Sequence, residues 1–393
     1  MMSKAAQSSL TKFAAGTTTE EVVQTAVLDL GTSNQKTELV RDGIEEFQAM
    51  ASYIGDMVPS IPEPERYPYN NVFYQLVTGE FEDRAVKASV AQNAAHHAVD
   101  MFTSHAQRGD HGDRPDLGNG SFLKLTNQDF ELVENDTGYG FKASFIRYNP
   151  IWFHVNTTPH SREYLERVFD GDADTGSCVL HVTDDGDVRA HLAVKWPVEV
   201  YEPHDVSTHV GVDIGENVLY AAAAVSGDGV AGVKMESGRE FRHHREQLQQ
   251  KRYRLSEKGD LRGVKACRGD IERYTDHVLH TASKEVVEFA RDHTPCVIVL
   301  EDLTGYRETA DDPIHDWPFA DLQTKIAYKA TAEGIPVELI NPRNTSIRCR
   351  KCGQATPEFR DGADFKCRRC GYEVHADVNA AINIGQAYPD QNQ

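Results

Sequence analysis

The sequence lacks the features of a membrane-spanning or exported protein. Its 393 residues hold no unbroken apolar run of about 18 residues, so we expect no transmembrane helix. The opening stretch has no apolar core, so we expect no signal peptide and interpret residues 1–19 as a disordered tail. Of only 7 cysteines, Cys178, Cys267 and Cys296 are isolated, a usage that predicts a reduced, cytoplasmic protein.

Positive charge is also scarce. The chain has 41 Lys+Arg against 61 Asp+Glu, a net charge of −20 that argues against a simple nucleic-acid binder. The deficit is uneven, because acidic residues outnumber basic ones about twofold in 1–205, whereas 239–273 and 343–369 are net basic. The acidic clusters lead us to expect adaptation to high salt. Loss of structure below molar salt during purification would support that expectation, and full stability in low salt would contradict it.

Four of the cysteines form the strongest motif in the chain. They are arranged as two Cys-x-x-Cys pairs, Cys349 with Cys352 and Cys367 with Cys370, each followed by a glycine that tolerates positive φ. Four thiolates in two tight pairs can complete a tetrahedral zinc shell, and such a closed shell is structural rather than catalytic. A disulfide or free-thiol cluster is the alternative, disfavoured because nothing else in the sequence indicates an oxidising compartment.

Three carboxylates follow apolar segments or open them. Asp213 lies in HVGVDIG, Glu301 in CVIVLEDL, and Asp377 at the start of the helical pattern DVNAAINI. Taken alone, each would more often be a solvated surface group, and the neighbouring Asp302 could simply cap a turn. The set predicts an RNase H-like site for two metal ions, since carboxylate oxygens suit Mg²⁺.

The order GVDIG, IVLEDL, CxxCG, CxxCG and DVNAAINI resembles the TnpB (OrfB) family of transposon-encoded RuvC-like nucleases, which are RNA-guided and related to the type V CRISPR effectors. The likeness covers roughly residues 206 to 388 and is fainter in the N-terminal half. It implies an α/β RNase H-like (RuvC) core with an inserted zinc ribbon, preceded by a wedge β-barrel that carries a helical recognition insertion.

The sequence patterns and this resemblance together set the expected domain boundaries. Short alternating runs from 121 to 200 predict the barrel strands, and helical spacing predicts helices over Asn34–Met57, Glu240–Lys258 and Arg262–His293. The expected parts are a tail at 1–19, the wedge barrel at 20–205 with its insertion at about 34–110, the nuclease core at 206–345, the ribbon at 346–374, a closing RuvC segment at 375–388 and a tail at 389–393.

The resemblance also implies an activity, an RNA-guided, Mg²⁺-dependent DNA endonuclease associated with an insertion sequence. Asp213 would bridge two Mg²⁺ ions, and Glu301 and Asp377 would complete one side each. The expected partners are a guide RNA, double-stranded target DNA and a separate transposase, with no membrane. Basic residues on a helix and on the ribbon would contact nucleic acid, although a charged helix is also typical of a solvated face: Arg242, Arg245, Arg252, Arg348, Arg350, Lys351, Arg368 and Arg369.

Two alternatives of other classes stay open at this point. One is a nuclease-silent, RNA-guided DNA-binding regulator, whose mark would be a lost acid, and all three acids are present. The other is a protein-only DNA-binding factor with a zinc ribbon, in which the RNase H-like part serves as scaffold. The second alternative predicts that no specific RNA co-purifies with the protein.

Overall fold

A computed structural model of the chain describes residues 16–58, 71–107, 117, 122–227, 229–303 and 318–391. The chain divides into an N-terminal unit, Val23–Trp196, and a C-terminal unit, Pro197–Gln393 with the segment that ends at Val22. Within the described ranges, no helix combines the length and apolar character needed to cross a bilayer.

A seven-stranded sheet forms the centre of the N-terminal unit. Its strands pair in the order β2-β6-β7-β1-β5-β4-β3. They are β1 (Thr17–Gly31), β2 (Phe122–Leu125), β3 (Phe130–Asn135), β4 (Gly138–Ala143), β5 (Ile151–Asn156), β6 (Asp174–Val182) and β7 (Val188–Tyr201). Alternation directs one face of each strand inward, as with the buried Ile151, Phe153 and Val155 of β5. The sequence predicts strands at FLKL, FKASFI, IWFHV, SCVLHVT and VRAHLAVKW, and β3 has no counterpart among these runs.

Three helices stand in the chain between β1 and β2, and a fourth follows β5. They are α1 (Asn34–Met57), α2 (Asn71–Glu80), α3 (Ala88–Gln107) and α4 (Pro159–Asp170). Helix α1 has its predicted bounds, because the Ser33 side chain caps it by accepting from the Lys36 amide. It buries a stripe at helical spacing that includes Val40, Ile44 and Phe47.

Within the described residues, a five-stranded sheet and four helices form the larger part of the C-terminal unit. The sheet order is β10-β9-β8-β11-β12, with β8, β11 and β12 mutually parallel. The strands are β8 (Thr208–Ile214), β9 (Val218–Ser226), β10 (Gly229–Ser237), β11 (Cys296–Glu301) and β12 (Val337–Ile340). The helices are α5 (Arg239–Glu257), α6 (Leu261–Arg291), α7 (Phe319–Ala332) and α8 (Ala376–Gln391).

The structure corrects the inner boundaries of the two expected tails, 1–19 and 389–393. Residues 17–19 belong to β1, because side-chain hydrogen bonds join Thr17 and Thr19 to the Glu199 carboxylate. Residues 389–391 continue α8. The remaining tail residues, 1–15 and 392–393, lie outside the described part of the chain.

The two faces of the C-terminal sheet bury different partners. On one face, Val210 and Val212 of β8 pack against α6 and α7 through Leu279 and Ile326. On the other face, Val299 of β11 and the buried Ala221 and Ala223 of β9 pack against α8. Burial on both sides is the usual environment of parallel strands and accounts for their continuous apolar runs.

Helix α8 lies unusually close to β8, and glycine makes this possible. A Cβ atom on Gly211 would come within 2.1 Å of the Ala381 carbonyl oxygen and 2.3 Å of the Gly385 nitrogen. Both atoms are backbone, so no side-chain movement could relieve the clash. The backbone of α8 therefore rests directly on the strand that carries Asp213 two residues later.

Adding one methyl group at this contact should displace the helix. We expect Gly211→Ala to lower the free energy of unfolding by about 3 kcal/mol, because the clash is with backbone atoms. Gly227→Ala is the matched control, since a Cβ there meets nothing within 4 Å. Chemical denaturation of both variants measures the effect, and equal stability of the two would contradict the close approach of α8 and β8.

A small three-stranded sheet precedes α8. Its strands are β13 (Arg360–Asp361), β14 (Asp364–Lys366) and β15 (Glu373–His375), paired antiparallel in that order. The rings of Phe359 and Phe365 meet edge to face at 6.1 Å and form its core with the cysteines. The side chain of Phe365 is buried, so it serves packing rather than base stacking.

Candidate functional site

Asp213 and Glu301 lie at the C-terminal ends of neighbouring parallel strands. Strands β8 and β11 pair with Gly211 opposite Val299. Continuing that register by two residues places Asp213 opposite Glu301. Side chains two residues apart share a face of the sheet, so both acids project to the side covered by α8. The C-terminal edge of parallel strands is where open α/β sheets place their ligands.

Asp377 reaches the same place from α8. It lies in the first turn of the helix and is 9% exposed. Its Oδ1 atom is 2.6 Å from Nη2 of Arg360, a residue of the small three-stranded sheet. The fields of Glu301 and Asp377 both act on Asp213, so the three acids predicted from the sequence converge on one site.

Asp213 has the most perturbed carboxyl of the three. Burial raises its pKa, and the neighbouring carboxylates of Glu301 and Asp377 raise it further, to about 8, against a lowering effect of Arg360. Burial also raises the pKa of Glu301, which a hydrogen bond from the Thr345 hydroxyl opposes. Three carboxylates facing a single arginine leave uncompensated negative charge, which favours a divalent cation bound by oxygen ligands.

The raised pKa of Asp213 predicts a pH-dependent stability. The unfolded carboxyl titrates near ~3.9, so the folded protein holds this proton more tightly. The protonated Asp213 carboxyl stabilises the folded protein fully below the unfolded pKa, and this stabilisation is lost as the pH rises through about 8. At pH 9 and without added Mg²⁺, we expect the free energy of unfolding of Asp213→Asn to exceed that of the wild type by on the order of 2 kcal/mol. The variant should therefore melt several degrees above the wild type. The difference should shrink toward pH 5, and a pH-independent difference would contradict it.

Thr345, Asn379 and Asn383 hold the site together; the sequence predicts helix packing or a supporting role for the two asparagines and no role for Thr345. The Thr345 hydroxyl donates to Oε1 of Glu301 at 2.5 Å. From α8, Asn383 donates to the carbonyls of Thr345 and Arg348, each at 2.7 Å, and Asn379 also donates to the Arg348 carbonyl at 2.7 Å. The loop between β12 and the cysteines is thereby fixed to the two elements that carry Glu301 and Asp377.

The four motif cysteines meet in space. Their sulfur atoms all lie within 4.8 Å of one another, with Cys349 3.7 Å from Cys370 and Cys352 3.5 Å from Cys367. Zinc–sulfur bonds of about 2.3 Å in a tetrahedron give sulfur–sulfur edges of about 3.8 Å. A disulfide needs about 2.05 Å, so the disulfide alternative does not fit. The thiol set could hold a structural zinc ion.

Backbone N–H groups lower the thiol pKa of both Cys349 and Cys367, although burial still raises the pKa of Cys349 to about 12. Gly353 and Gly371 adopt φ of 75° and 71°, as expected after each pair, and their amides donate to the carbonyls of Cys349 and Cys367. Burial raises the pKa of the Cys367 thiol, yet the backbone N–H groups of Cys370 and Arg369 outweigh it and bring that pKa down to about 7. Thiolate is the form that binds metal.

The residues predicted to contact nucleic acid differ in their surroundings. Some guanidinium groups have a protein partner, since Arg242 hydrogen-bonds Asn217, and Arg350 donates to the Tyr372 hydroxyl at 2.8 Å with its charge over that ring. The others are exposed to solvent: Arg252, Arg348, Lys351, Arg368 and Arg369. The half-buried Arg245 lies in α5.

Comparison with known proteins gives matches to one group. The Cas12f1-like, TNB domain family matches residues 319–384. The CRISPR-associated endodeoxyribonuclease Cas12f1 of Sulfoacidibacillus thermotolerans is 32% identical over 240 residues, 56% of this chain and 55% of that protein. A TnpB-like protein of Methanocaldococcus jannaschii is 27% identical over 201 residues, 47% of this chain and 71% of that protein. The chain thus spans only about half the length of its Cas12f1 relative.

Solved structures agree at the level of the fold. A cryo-EM structure of a Cas12f1–sgRNA–target DNA complex matches 90% of this chain and 83% of that chain, with a TM-score of 0.66 and 16% identity. CasPhi-2 (Cas12j) bound to crRNA matches 95% of this chain and 98% of that chain, with a TM-score of 0.50 and 10% identity. The chain has a Cas12-type fold, which confirms the predicted fold class at that level.

Proposed function

We propose that the chain belongs to the family that includes the TnpB-like proteins and Cas12f1, and that it is an RNA-guided, Mg²⁺-dependent DNA endonuclease. The observation that carries this proposal is the convergence of Asp213, Glu301 and Asp377 from β8, β11 and α8 onto one site. None of the three acids is replaced, which favours an active nuclease over a silent DNA-binding regulator.

The carboxylates of Asp213, Glu301 and Asp377 would hold two Mg²⁺ ions. Bound Mg²⁺ would activate a water and stabilise the departing 3′ oxygen of a phosphodiester. The protein contributes by orienting the ligands. Thr345 fixes one oxygen of Glu301, and Arg360 fixes one oxygen of Asp377. Each carboxylate keeps a second oxygen for a cation, so these partners orient the ligands without displacing the ion.

The four cysteines would hold one structural zinc ion. The role proposed for this ion is structural. Arg360 lies in β13, and β13 pairs with β14, which packs against the cysteines. Folding of this small ribbon around zinc would hold Arg360 against Asp377. The ribbon therefore acts on the acidic site through an arginine rather than through the metal.

Further parts of the proposal concern partners. The seven-stranded sheet with its three helices between β1 and β2 would form the wedge barrel and recognition insertion that hold guide RNA and target duplex. The basic residues of α5 and the ribbon would contact phosphates and position the strands without reading sequence. Association with an insertion sequence, a separate transposase partner, a cytoplasmic location and adaptation to high salt belong to the same proposal.

Arg360 gives a prediction for this site. We expect Arg360→Gln to lower kcat for DNA cleavage by about 10- to 100-fold, because Asp377 loses the partner that orients it. Arg360→Lys, which keeps the charge, should recover part of the loss. Lys366→Gln is the control, since Lys366 pairs with the exposed Glu373 on the same sheet. If Arg360→Gln cleaves as fast as the control, Arg360 has no positioning role.

The experiment that tests the proposal is purification of the protein expressed with its flanking locus, followed by sequencing of the bound RNA. We expect one discrete RNA, part of which pairs with DNA that the complex cleaves in Mg²⁺. Bound RNA with no cleavage of matching DNA under several flanking sequences and salt concentrations would support the regulator. Absence of any specific RNA would leave the protein-only DNA-binding factor.

A further inference from the structure

The loop between β12 and the first cysteine borders an open polar cavity of about 530 Å³. Four of its residues line the cavity: Asn341, Arg343, Asn344 and Arg348. Among the described residues, the lining consists of two arginines and two asparagines, so it carries two positive charges and two amides. Its chemistry suits an anion with several acceptor oxygens and does not suit an apolar ligand.

The position of this loop is set by the candidate catalytic elements. Thr345 binds Glu301, and the Asp302 amide donates to the Ile340 carbonyl just before the loop. Asn383, itself 5% exposed, donates to the loop carbonyls of Thr345 and Arg348. Buried polar groups whose hydrogen bonds are all made inside the protein hold a segment in one conformation. A group bound by the loop would therefore lie at a fixed place relative to the acids.

The two arginines of the loop have no evident structural task. Within the ranges that the structure describes, neither the Arg343 nor the Arg348 guanidinium makes an ion pair or a side-chain hydrogen bond, and both side chains are exposed. In contrast, Arg360 and Arg350 are committed to Asp377 and Tyr372. The chain has 61 acidic residues against 41 basic ones, so two arginines without a carboxylate partner beside an acidic site are notable.

We propose that Arg343 and Arg348, with the amide of Asn344, bind backbone phosphates of the DNA strand whose neighbouring phosphate occupies the acidic site. Guanidinium groups bind phosphate oxygens through two parallel hydrogen bonds, and amide groups donate to phosphate or sugar oxygens. The proposal rests on the proposed function. It adds that the loop, which lies next to Glu301, holds the DNA strand. Both arginines are positioning residues for that strand.

The test measures binding separately from cleavage. Full-length protein is titrated into a labelled single-stranded DNA oligonucleotide over a salt series, as wild type, Arg343→Gln, Arg348→Gln and the double variant. Each lost phosphate contact should reduce the slope of log affinity against log salt by about 0.7. Arg343→Lys and Arg348→Lys should keep the slope because they keep the charge. Arg268→Gln, which removes an exposed arginine paired with Glu272 on α6, is the control.

Melting temperature and zinc content of each variant establish that the loop still folds. Reduced slopes in the loop variants, with an unchanged slope in the control, would support the site even if the wild type cleaved no DNA and the proposed function failed. If the wild type cleaves DNA but the double variant keeps the wild-type slope, the loop site is overturned and the nuclease stands. If the loop variants show reduced slopes with a labelled RNA of equal length but not with DNA, the assignment to the DNA strand is also overturned.

Discussion

Replacing Asp213 by alanine should reduce guided DNA cleavage by about 10³-fold or more while target binding persists. The carboxylate is an oxygen ligand of the proposed cation site, so its loss removes both the charge that attracts Mg²⁺ and the geometry that orders it. Glu301→Gln should cause a loss of similar size, because Glu301 lies opposite Asp213 in the continued register of β8 and β11. Cleavage of end-labelled target and anisotropy of the same target measure the two effects.

The matched control is Asp302→Asn. Asp302 follows Glu301 directly but is exposed, and its amide continues the backbone bonding to β12. We expect its cleavage rate to stay within about threefold of the wild type, since substitutions of exposed side chains usually have small effects. A loss in Asp302→Asn as large as in Glu301→Gln would mean that the wrong acid of the pair has been assigned.

Removal of one cysteine pair should have the second largest effect. In Cys367→Ser combined with Cys370→Ser, the remaining two thiols cannot close the shell, so zinc content should fall from one ion per chain to none. Structural zinc contributes about 10 kcal/mol or more to such a small fold. We expect the ribbon to unfold, Arg360 to leave Asp377, and cleavage to fall by at least about 100-fold.

Cys178→Ala is the control for this pair. Cys178 is buried in β6 of the N-terminal unit, apart from the four clustered cysteines, so the variant loses a thiol and should keep its zinc. Mass spectrometry of metal content and a cleavage assay compare the two proteins. Wild-type protein without zinc, or full cleavage by the double cysteine variant, would exclude a role for the ribbon in fixing Arg360.

The sequence was sufficient to find the three acids and the cysteine cluster. Asp213 and Glu301 lie at the ends of apolar strands, because the strands of a doubly covered sheet read as unbroken hydrophobic runs, and Asp377 opens the apolar helix α8. The cysteine spacing is set by the geometry of two turns around one metal. Helix α1 was predicted to the residue because its cap and periodic stripe agree.

The partners of the acids could not be found in the same way. Arg360 is one basic residue within a net basic stretch, and only the pairing of β13 with β14 and the start of α8 brings it to Asp377. Thr345, Asn379 and Asn383 act through hydrogen bonds to residues up to 44 positions away. The strand order of the N-terminal sheet likewise depends on pairings between distant segments, such as β1 with β5. Local sequence patterns do not encode such contacts.

The most direct measurement of the central claim is reprogrammed cleavage. The pairing segment of the bound RNA is replaced by a new sequence, and the complex is given DNA that matches either the old segment or the new one, in Mg²⁺ and with the same flanking sequence. We expect cleavage to move entirely to the newly matched DNA and to vanish in Asp213→Ala. Cleavage that stays at the old DNA, or that persists in Asp213→Ala, would contradict an RNA-guided nuclease acting through these three acids.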